Sequence, residues 1–170
     1  WIQGKCRKPK IKCQECNHRK FKALTDQEVY RHLSGQQVVG LYPLSQNNTC
    51  YLLAADFDKT GWQDAVKAMS EACTQYNVPH ALEISRSGNG AHLWIFFDTP
   101  IQAREARLLG FCLLDKAMEI YPNLSFDSYD RLFPNQDILP EGGFGNLIAL
   151  PLQKKLDCLA IVHLSIVNYA

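Results

Sequence analysis

A chain of 170 residues, of which 46% are hydrophobic, is long enough to form one domain with a substantial apolar core. It contains no apolar run of membrane-spanning length and no secretory signal, so we expect a cytoplasmic protein without membrane contact. The net charge is +1, but the charges are unevenly distributed. Residues 1–22 contain eight basic residues and one acidic residue (+7), and the rest of the chain contains ten basic and 16 acidic residues (−6). A basic start on a mildly acidic body favours contact with nucleic acid, although such runs are often solvated arms.

Three of the seven cysteines lie in this basic start and are candidate zinc ligands. They are Cys6, Cys13 and Cys16, and the last two form a CxxC pair. Zinc prefers four nitrogen or sulfur ligands, and His18, His32 and a residue upstream of the chain are all candidates for the fourth. We therefore predict a small zinc knuckle over residues 1–22, the alternative being free thiols on a frayed arm. The other four cysteines are scattered singly and are interpreted as small buried hydrophobic residues.

The spacing of apolar residues and the turn residues between them predict the secondary structure. In chain order, the predicted elements are a helix that begins after Thr25 and ends near Gly35, a strand over 38–44, a central strand over 51–58, a helix over 62–76, strands over 80–86 and 91–98, a helix over about 101–120, and short strands near 124–127 and 146–150. From the central strand onward the order is β-α-β-β-α-β. This is an α+β, RRM-like arrangement, in which one face of the sheet carries the helices and the other is free for a ligand.

Two carboxylates end the predicted central strand, in the segment LLAADFD. Asp56 and Asp58 are two residues apart, so on a strand they point to the same face and repel each other. A divalent cation such as Mg²⁺ or Mn²⁺ removes that penalty, because these ions prefer carboxylate oxygens and often serve substrate phosphates. An isolated DxD is more often an ordinary strand end followed by a polar turn. The interpretation as a metal site therefore depends on the polar segments that follow in the chain.

Three further polar segments contain residues that can bind phosphate or a metal ion. The first, SRSGNGAH, is a glycine-rich hairpin whose backbone N–H groups, serines and arginine can bind an anion. Its last residue, His92, opens the next strand within reach of the same pocket. Residues 128–137 and 142–151 are rich in carboxylate, arginine, amide and glycine, and a loop of this length is more often functional than structural. The candidates for a third carboxylate of the site are Asp127, Asp130 and Asp137.

Four motifs in these segments resemble the primase domain of TOTE conflict systems, which belongs to the archaeo-eukaryotic primase superfamily together with PrimPol enzymes. The motifs are DFDK, SRSGNGAHLWIFF, SYDRLFPNQD and GGFGNLIALPLQ, and the resemblance extends from about Trp1 to Gln153. It implies an RRM-like catalytic core over residues 23–153, in agreement with the predicted element order, preceded by the zinc knuckle. The tail over 154–170 departs from the family's usual continuation.

The resemblance also implies roles for particular carboxylates. Asp56 and Asp58 match the family's metal-binding motif. Counting back from the strand-like NLIALP by the family's spacing puts the third ligand at Asp137, while Asp130 in the distinctive SYDR motif is a rival. The implied catalytic residues are Asp56, Asp58, Asp137 and His92.

Contacts to the incoming nucleotide are implied as well. Ser87 and His92 match the family's serine and histidine around a glycine turn. Relatives carry a basic residue where this chain has Ala149, so that phosphate contact is either absent or supplied by Arg131. The implied nucleotide-binding residues are Arg86, Ser87, Gly88, Asn89, Gly90, His92 and Arg131.

The implied function is that of a DNA primase or polymerase, a nucleotidyltransferase that copies a DNA template with nucleoside triphosphates and two divalent ions, Mg²⁺ or Mn²⁺. One ion would activate the attacking 3′-hydroxyl and the other would stabilise the leaving group. The expected partners are a DNA template and primer, and helicase and nuclease regions like those of larger family members. Two alternatives remain: a non-catalytic nucleic-acid-binding module that uses the zinc knuckle and the basic start, and a metal-dependent nuclease that uses the same carboxylates.

Overall fold

The computed structural model describes residues 23–122 and 131–154. In this part of the chain three helices and six strands follow one another as α1 (Asp26–Leu33), β1 (Gly40–Leu41), β2 (Thr49–Phe57), α2 (Trp62–Gln75), β3 (Ala81–Ile84), β4 (Ala91–Gln102), α3 (Ala103–Ile120), β5 (Arg131–Phe133) and β6 (Ile148–Ala149). No helix within the described ranges is long and apolar enough to cross a membrane. The predicted zinc knuckle over 1–22, the strand predicted near 124–127 and residues 155–170 lie outside the described residues.

The main sheet has four antiparallel strands in the order β3-β4-β2-β5. Helix α2 connects β2 to β3, with β4 between these two strands, and helix α3 connects β4 to β5, with β2 between them. Strands β2 to β5 and their two helices therefore follow the order β-α-β-β-α-β, although the strand that completes it is β5 and not the one predicted near 124–127. The structure is a mixed α+β fold, and it is compatible with the RRM-like arrangement predicted from the sequence.

The fourth strand of this sheet comes from a segment that was predicted as a loop. Strand β5 pairs with the second half of β2, with Phe133 opposite Ala54. Leu132 and Phe133 are both buried. Leu132 lies in the core under the helices, and Phe133 lies in a smaller apolar cluster on the opposite face. A strand of three residues is too short to show the alternation by which strands are recognised, and this explains the error.

The helices cover one face of the main sheet only. Leu53, Ala55 and Phe57 of β2 point to this face and pack with residues of α2 and α3 in one buried core. The alternate residues of β2 point to the other face, where Ala54 packs in the smaller apolar cluster. Because successive strand residues point to opposite sides, this alternation places Asp56 on the face away from the helices, which we call the open face. Residues of β1 and β6 pack in the same smaller cluster, so this pair of strands covers part of the face that was predicted to be free for a ligand.

Strands β1 and β6 form a separate two-stranded antiparallel sheet. His32 of α1 forms hydrogen bonds with the backbone next to these two strands. His32 is 1% exposed; its Nε2 donates to the Pro151 carbonyl at 2.9 Å, and its Nδ1 accepts from the Val39 N–H at 3.1 Å. Both ring nitrogens are therefore used inside the fold. This corrects the candidacy of His32 as the fourth zinc ligand, because a ligand histidine needs a free nitrogen lone pair.

The predicted helices and strands that fall within the described residues are found with shifted ends, and the largest shift is in β4. This strand continues through Pro100 to Gln102, although it was predicted to end at residue 98 and the following helix to begin at about residue 101. The pairing of β4 with β2 is interrupted between Phe96 and Ile101, so Pro100 lies in a bulge where its missing N–H is not needed. The strand expected over 38–44 is reduced to the two residues of β1.

We predict that His32→Ala lowers the free energy of unfolding by about 2–4 kcal/mol, because it removes a fully buried side chain and leaves two partly buried backbone groups without this partner. Chemical denaturation of the full chain measures this loss. The matched control is Arg31→Ala on the same helix, whose ion pair with Glu28 has an arginine side chain that is 42% exposed. The control should lose less than about 1 kcal/mol. A variant His32→Ala that keeps its stability but loses bound zinc would contradict the structural role.

Candidate functional site

The two carboxylates selected from the sequence lie at one end of the central strand. Asp56 is the last residue but one of β2, and its side chain is 19% exposed. Asp58 follows directly after the strand and is exposed. The open face therefore presents a partly buried carboxylate, with a second carboxylate close by at the strand end.

A row of four polar side chains crosses the main sheet at the level of Asp56. In the order β3, β4, β2 and β5, the register places Glu83, His92, Asp56 and Arg131 opposite one another. Residues paired across neighbouring strands point to the same face. The structure thus brings together three residues that were selected from the sequence, and it adds Glu83, which sequence reasoning missed.

The hairpin contains the signal by which Glu83 is found. The Ser85 N–H donates to the Gly90 carbonyl at 2.8 Å, so residues 85–90 form the turn between β3 and β4. Counting outward from this turn places Glu83 opposite His92, as the structure has it. The register of the folded hairpin therefore identifies a carboxylate that belongs to no motif, whereas the strands predicted over 80–86 and 91–98 would have paired Glu83 with Trp94.

His92 is held between two carboxylates. Its Nδ1 is 3.1 Å from Oε2 of Glu83, and its Nε2 is 3.5 Å from Oδ1 of Asp56. Burial, the largest single influence, lowers the pKa of the imidazole, but the hydrogen bonds and charges of Asp56 and Glu83 together outweigh it and raise the pKa to about 9. At neutral pH the ring is therefore an imidazolium that can donate from both nitrogens.

The glycine-rich turn packs directly against the carboxylate segment. A Cβ on Gly90 would lie 2.6 Å from the Phe57 carbonyl oxygen, closer than a side chain can approach a backbone, and a tight 3.2 Å from Cα of Asp58. Within the turn, Oγ of Ser87 accepts from the Asn89 N–H at 3.2 Å. The exposed residues of the turn are Arg86, Ser87, Gly88 and Asn89. The turn residues selected from the sequence thus lie at the same end of the sheet as the two carboxylates.

Asp137, predicted as the third metal ligand, lies elsewhere in the structure. Its carboxylate pairs with the guanidinium of Arg107 on α3. Two residues later, the Leu139 N–H donates to Oδ1 of Asn48 at 2.7 Å. Asn48 precedes β2 at the end opposite Asp56, and about 26 Å of strand separates the two at about 3.3 Å per residue. The structure therefore does not bring Asp137 to the carboxylate pair.

The direction of β5 explains this placement. Strand β5 runs antiparallel to β2 and begins with Arg131 opposite Asp56, so the chain moves away from the carboxylates as it continues. The spacing argument treated this segment as a loop. Asp130, the rival third ligand, directly precedes Arg131, but both Asp130 and Asp127 lie outside the described residues. Within the described part of the chain, no three His, Cys, Asp or Glu side chains are grouped so as to hold a metal ion.

A family model described as the archaeo-eukaryotic primase domain of TOTE conflict systems matches residues 1–158. The chain belongs to this family. The match covers the whole described fold, including the polar row and the glycine-rich turn. It confirms the resemblance seen in the sequence motifs and assigns the chain to a primase-type, nucleotidyltransferase-like family. A comparison with curated proteins finds no match.

We predict that His92 stabilises the folded chain in a pH-dependent way. Its pKa in the folded chain, about 9, lies above the ordinary value of 6.5, so the stabilisation is complete below pH 6.5 and is lost as the pH rises through about 9. The difference in free energy of unfolding between wild type and His92→Gln should therefore shrink over this interval by up to about 3 kcal/mol. Urea denaturation in metal-free buffer measures it. A difference that does not change with pH would contradict the two ion pairs.

Proposed function

We propose that this chain is a DNA primase or polymerase that adds nucleotides to a DNA strand under the direction of a template. The observation that carries the proposal is the contact between the glycine-rich turn and the carboxylate segment, where Gly90 lies against Phe57 and Asp58. This contact puts a candidate phosphate-binding turn beside a candidate metal site on the open face. Membership of a primase family supports the same chemistry.

The carboxylates have the chemistry that hard divalent cations require. Asp56 is partly exposed and Asp58 is exposed, so their oxygens are accessible to Mg²⁺ or Mn²⁺ ions that keep several water ligands. When bound, such ions promote deprotonation of a 3′-hydroxyl and neutralise the charge of a triphosphate. Asp56 and Asp58 would hold these ions together with a third carboxylate.

The remaining side chains of the row would hold the substrate. His92 presents an imidazolium N–H beside Asp56, and this donor suits a negatively charged phosphate oxygen. Backbone N–H groups of the turn, with Ser87 and Arg86, would contact the outer phosphates. Arg131 lies on the other side of Asp56 and would add a positive charge there. The triphosphate would then have donors on both sides of the metal-binding carboxylates.

We predict that the double variant Asp56→Asn/Asp58→Asn loses primer extension by about 1,000-fold or more, because amides bind divalent cations poorly. Extension of a labelled primer with Mg²⁺ or Mn²⁺ measures this loss. The matched control is Asp64→Asn in the first turn of α2, an exposed residue that should leave the activity unchanged. DNA binding should survive in the double variant.

The same assay separates the alternatives. Products longer than the primer support a polymerase, and products shorter than the primer support a nuclease. A wild-type chain that binds DNA but neither extends nor shortens the primer, whether Mg²⁺ or Mn²⁺ is present, would contradict the proposal and favour a non-catalytic binding module.

We also propose Asp130 rather than Asp137 as the third carboxylate, because residue 130 adjoins Arg131, which lies opposite Asp56. Asp130→Asn should lower primer extension by about 100-fold or more. Asp137→Asn should keep the activity and lose less than about 1 kcal/mol of stability, because Asp137 is 44% exposed in its pair with Arg107. Activity lost in Asp137→Asn and retained in Asp130→Asn would reverse this assignment.

We further propose that residues 1–22 bind the DNA backbone, with zinc at Cys6, Cys13 and Cys16. Eight basic residues in this segment suit a polyanion, and each neutralised phosphate makes the affinity more dependent on salt. Deletion of residues 1–22 should weaken DNA binding and reduce the slope of log Kd against log salt concentration by about 0.9 for each phosphate that the shortened chain no longer neutralises. Unchanged affinity and slope would contradict a role in binding.

A further inference from the structure

Glu83 is a partly buried carboxylate on an edge strand that receives two hydrogen bonds from the neighbouring strand. Its side chain is 14% exposed. A single oxygen, Oε2, is 3.1 Å from Nδ1 of His92 and accepts from Nε1 of Trp94 at 3.1 Å. His92 and Trp94 are two residues apart on β4, so both point to the same face as Glu83.

The packing of the sheet does not require a carboxylate at this position. The next residue of β3 on the same face is Ala81, which lies opposite Trp94 and packs against the smaller apolar cluster. An apolar residue in place of Glu83 would avoid burying a charge, but it would leave the indole N–H of Trp94 without this partner. The carboxylate thus links the buried indole to the imidazole of the candidate site.

These contacts determine the orientation of the His92 ring. With Nδ1 bound to Glu83, the opposite nitrogen, Nε2, faces Asp56 at 3.5 Å. Trp94 packs edge-on against the ring, with centroids 5.8 Å apart and an interplanar angle of 77°. Trp94 is 1% exposed and is held by the same Glu83 oxygen, so it restricts rotation of the imidazole about its Cβ–Cγ bond.

We propose that Glu83 is a positioning residue for the nucleotide site: it holds the His92 ring with Nε2 directed at the place where a triphosphate would lie beside Asp56. This inference rests on the proposed function of the same site. His92 lies between Glu83 and Asp56 in the row, so Glu83 acts through the imidazole and does not share a metal ion with Asp56. Without Glu83 the ring can turn, and its interaction with phosphate weakens although the imidazole is still present.

Calorimetric titration of the full chain with dATP and Mg²⁺ tests the proposal in two backgrounds, wild type and His92→Ala. Glu83→Ala should weaken dATP binding about ten-fold in the wild-type background and less than about two-fold where His92 is already absent. Glu83→Gln should retain most of the affinity, because its amide oxygen still accepts a hydrogen bond. An equal loss in both backgrounds would mean that Glu83 only stabilises the fold, and it would overturn the proposal.

A matched control and a structural readout accompany the titration. Glu119→Gln removes an exposed carboxylate on α3 that pairs with Lys116, and it should leave dATP binding unchanged. NMR spectra of ¹⁵N-labelled chains should show the side-chain signals of His92 and Trp94 shifted in Glu83→Gln, with the rest of the spectrum retained. Unshifted side-chain signals would overturn the proposal, because the two hydrogen bonds would then not exist in solution.

Primer extension distinguishes failure of this proposal from failure of the proposed function. A wild-type chain that binds dATP with the Glu83–His92 coupling but extends no primer contradicts the polymerase and supports the positioning role. A chain that extends primers without this coupling supports the polymerase and overturns the positioning role. A wild-type chain that does not bind dATP at all overturns both.

Discussion

The pairing of β2 with β4, in the register that sets Asp56 opposite His92, is the constraint on which the candidate site depends. The buried face of the sheet maintains this register. A shift by one residue would turn Leu53 and Phe57 away from the helices and move Asp56 into the core. Burying two such apolar side chains contributes roughly 3–6 kcal/mol, and an unpaired carboxylate in the core would add a further penalty. Residues that touch no ligand therefore determine where the polar row lies.

The polar row places two carboxylates around His92. Glu83 and Asp56 flank a single imidazolium, Arg131 lies on the other side of Asp56, and Asp58 adds another carboxylate at the strand end. With His92 protonated, these five side chains carry three negative charges and two positive charges, and the excess of one negative charge attracts cations to the open face. A divalent cation at Asp56 and a proton on His92 would repel each other at this short distance, so metal binding and the protonation of His92 are coupled in the proposed enzyme.

Much of the fold could be predicted from the sequence, because its longer elements have clear periodicity. The hairpin turn, the central strand and the helices α1 and α2 lie within a few residues of their predicted positions. The errors fall where local pattern carries little information. Strand β5 is three residues long, and Pro100 lies within a strand only because the pairing is interrupted there. His32 looked like a metal ligand by residue type, and only the folded chain shows which backbone groups its ring contacts.

Part of the candidate site was also predictable from the sequence. Asp56 and His92 belong to recognisable motifs on adjacent strands, and the register places them side by side. Spacing along the chain could not locate Asp137, because its position depends on the direction of β5, which was not predicted. Glu83 belongs to no motif and became visible only through cross-strand pairing.

The contact of Gly90 with Phe57 and Asp58 has a consequence for any attempt to redesign the chain. The gap between the turn and the carboxylate segment is set by backbone atoms meeting backbone atoms. Side-chain substitutions elsewhere in the turn therefore alter its chemistry but not this spacing. Inserting or deleting residues in the hairpin would alter this spacing, and it would also disturb the register that brings Glu83 to His92.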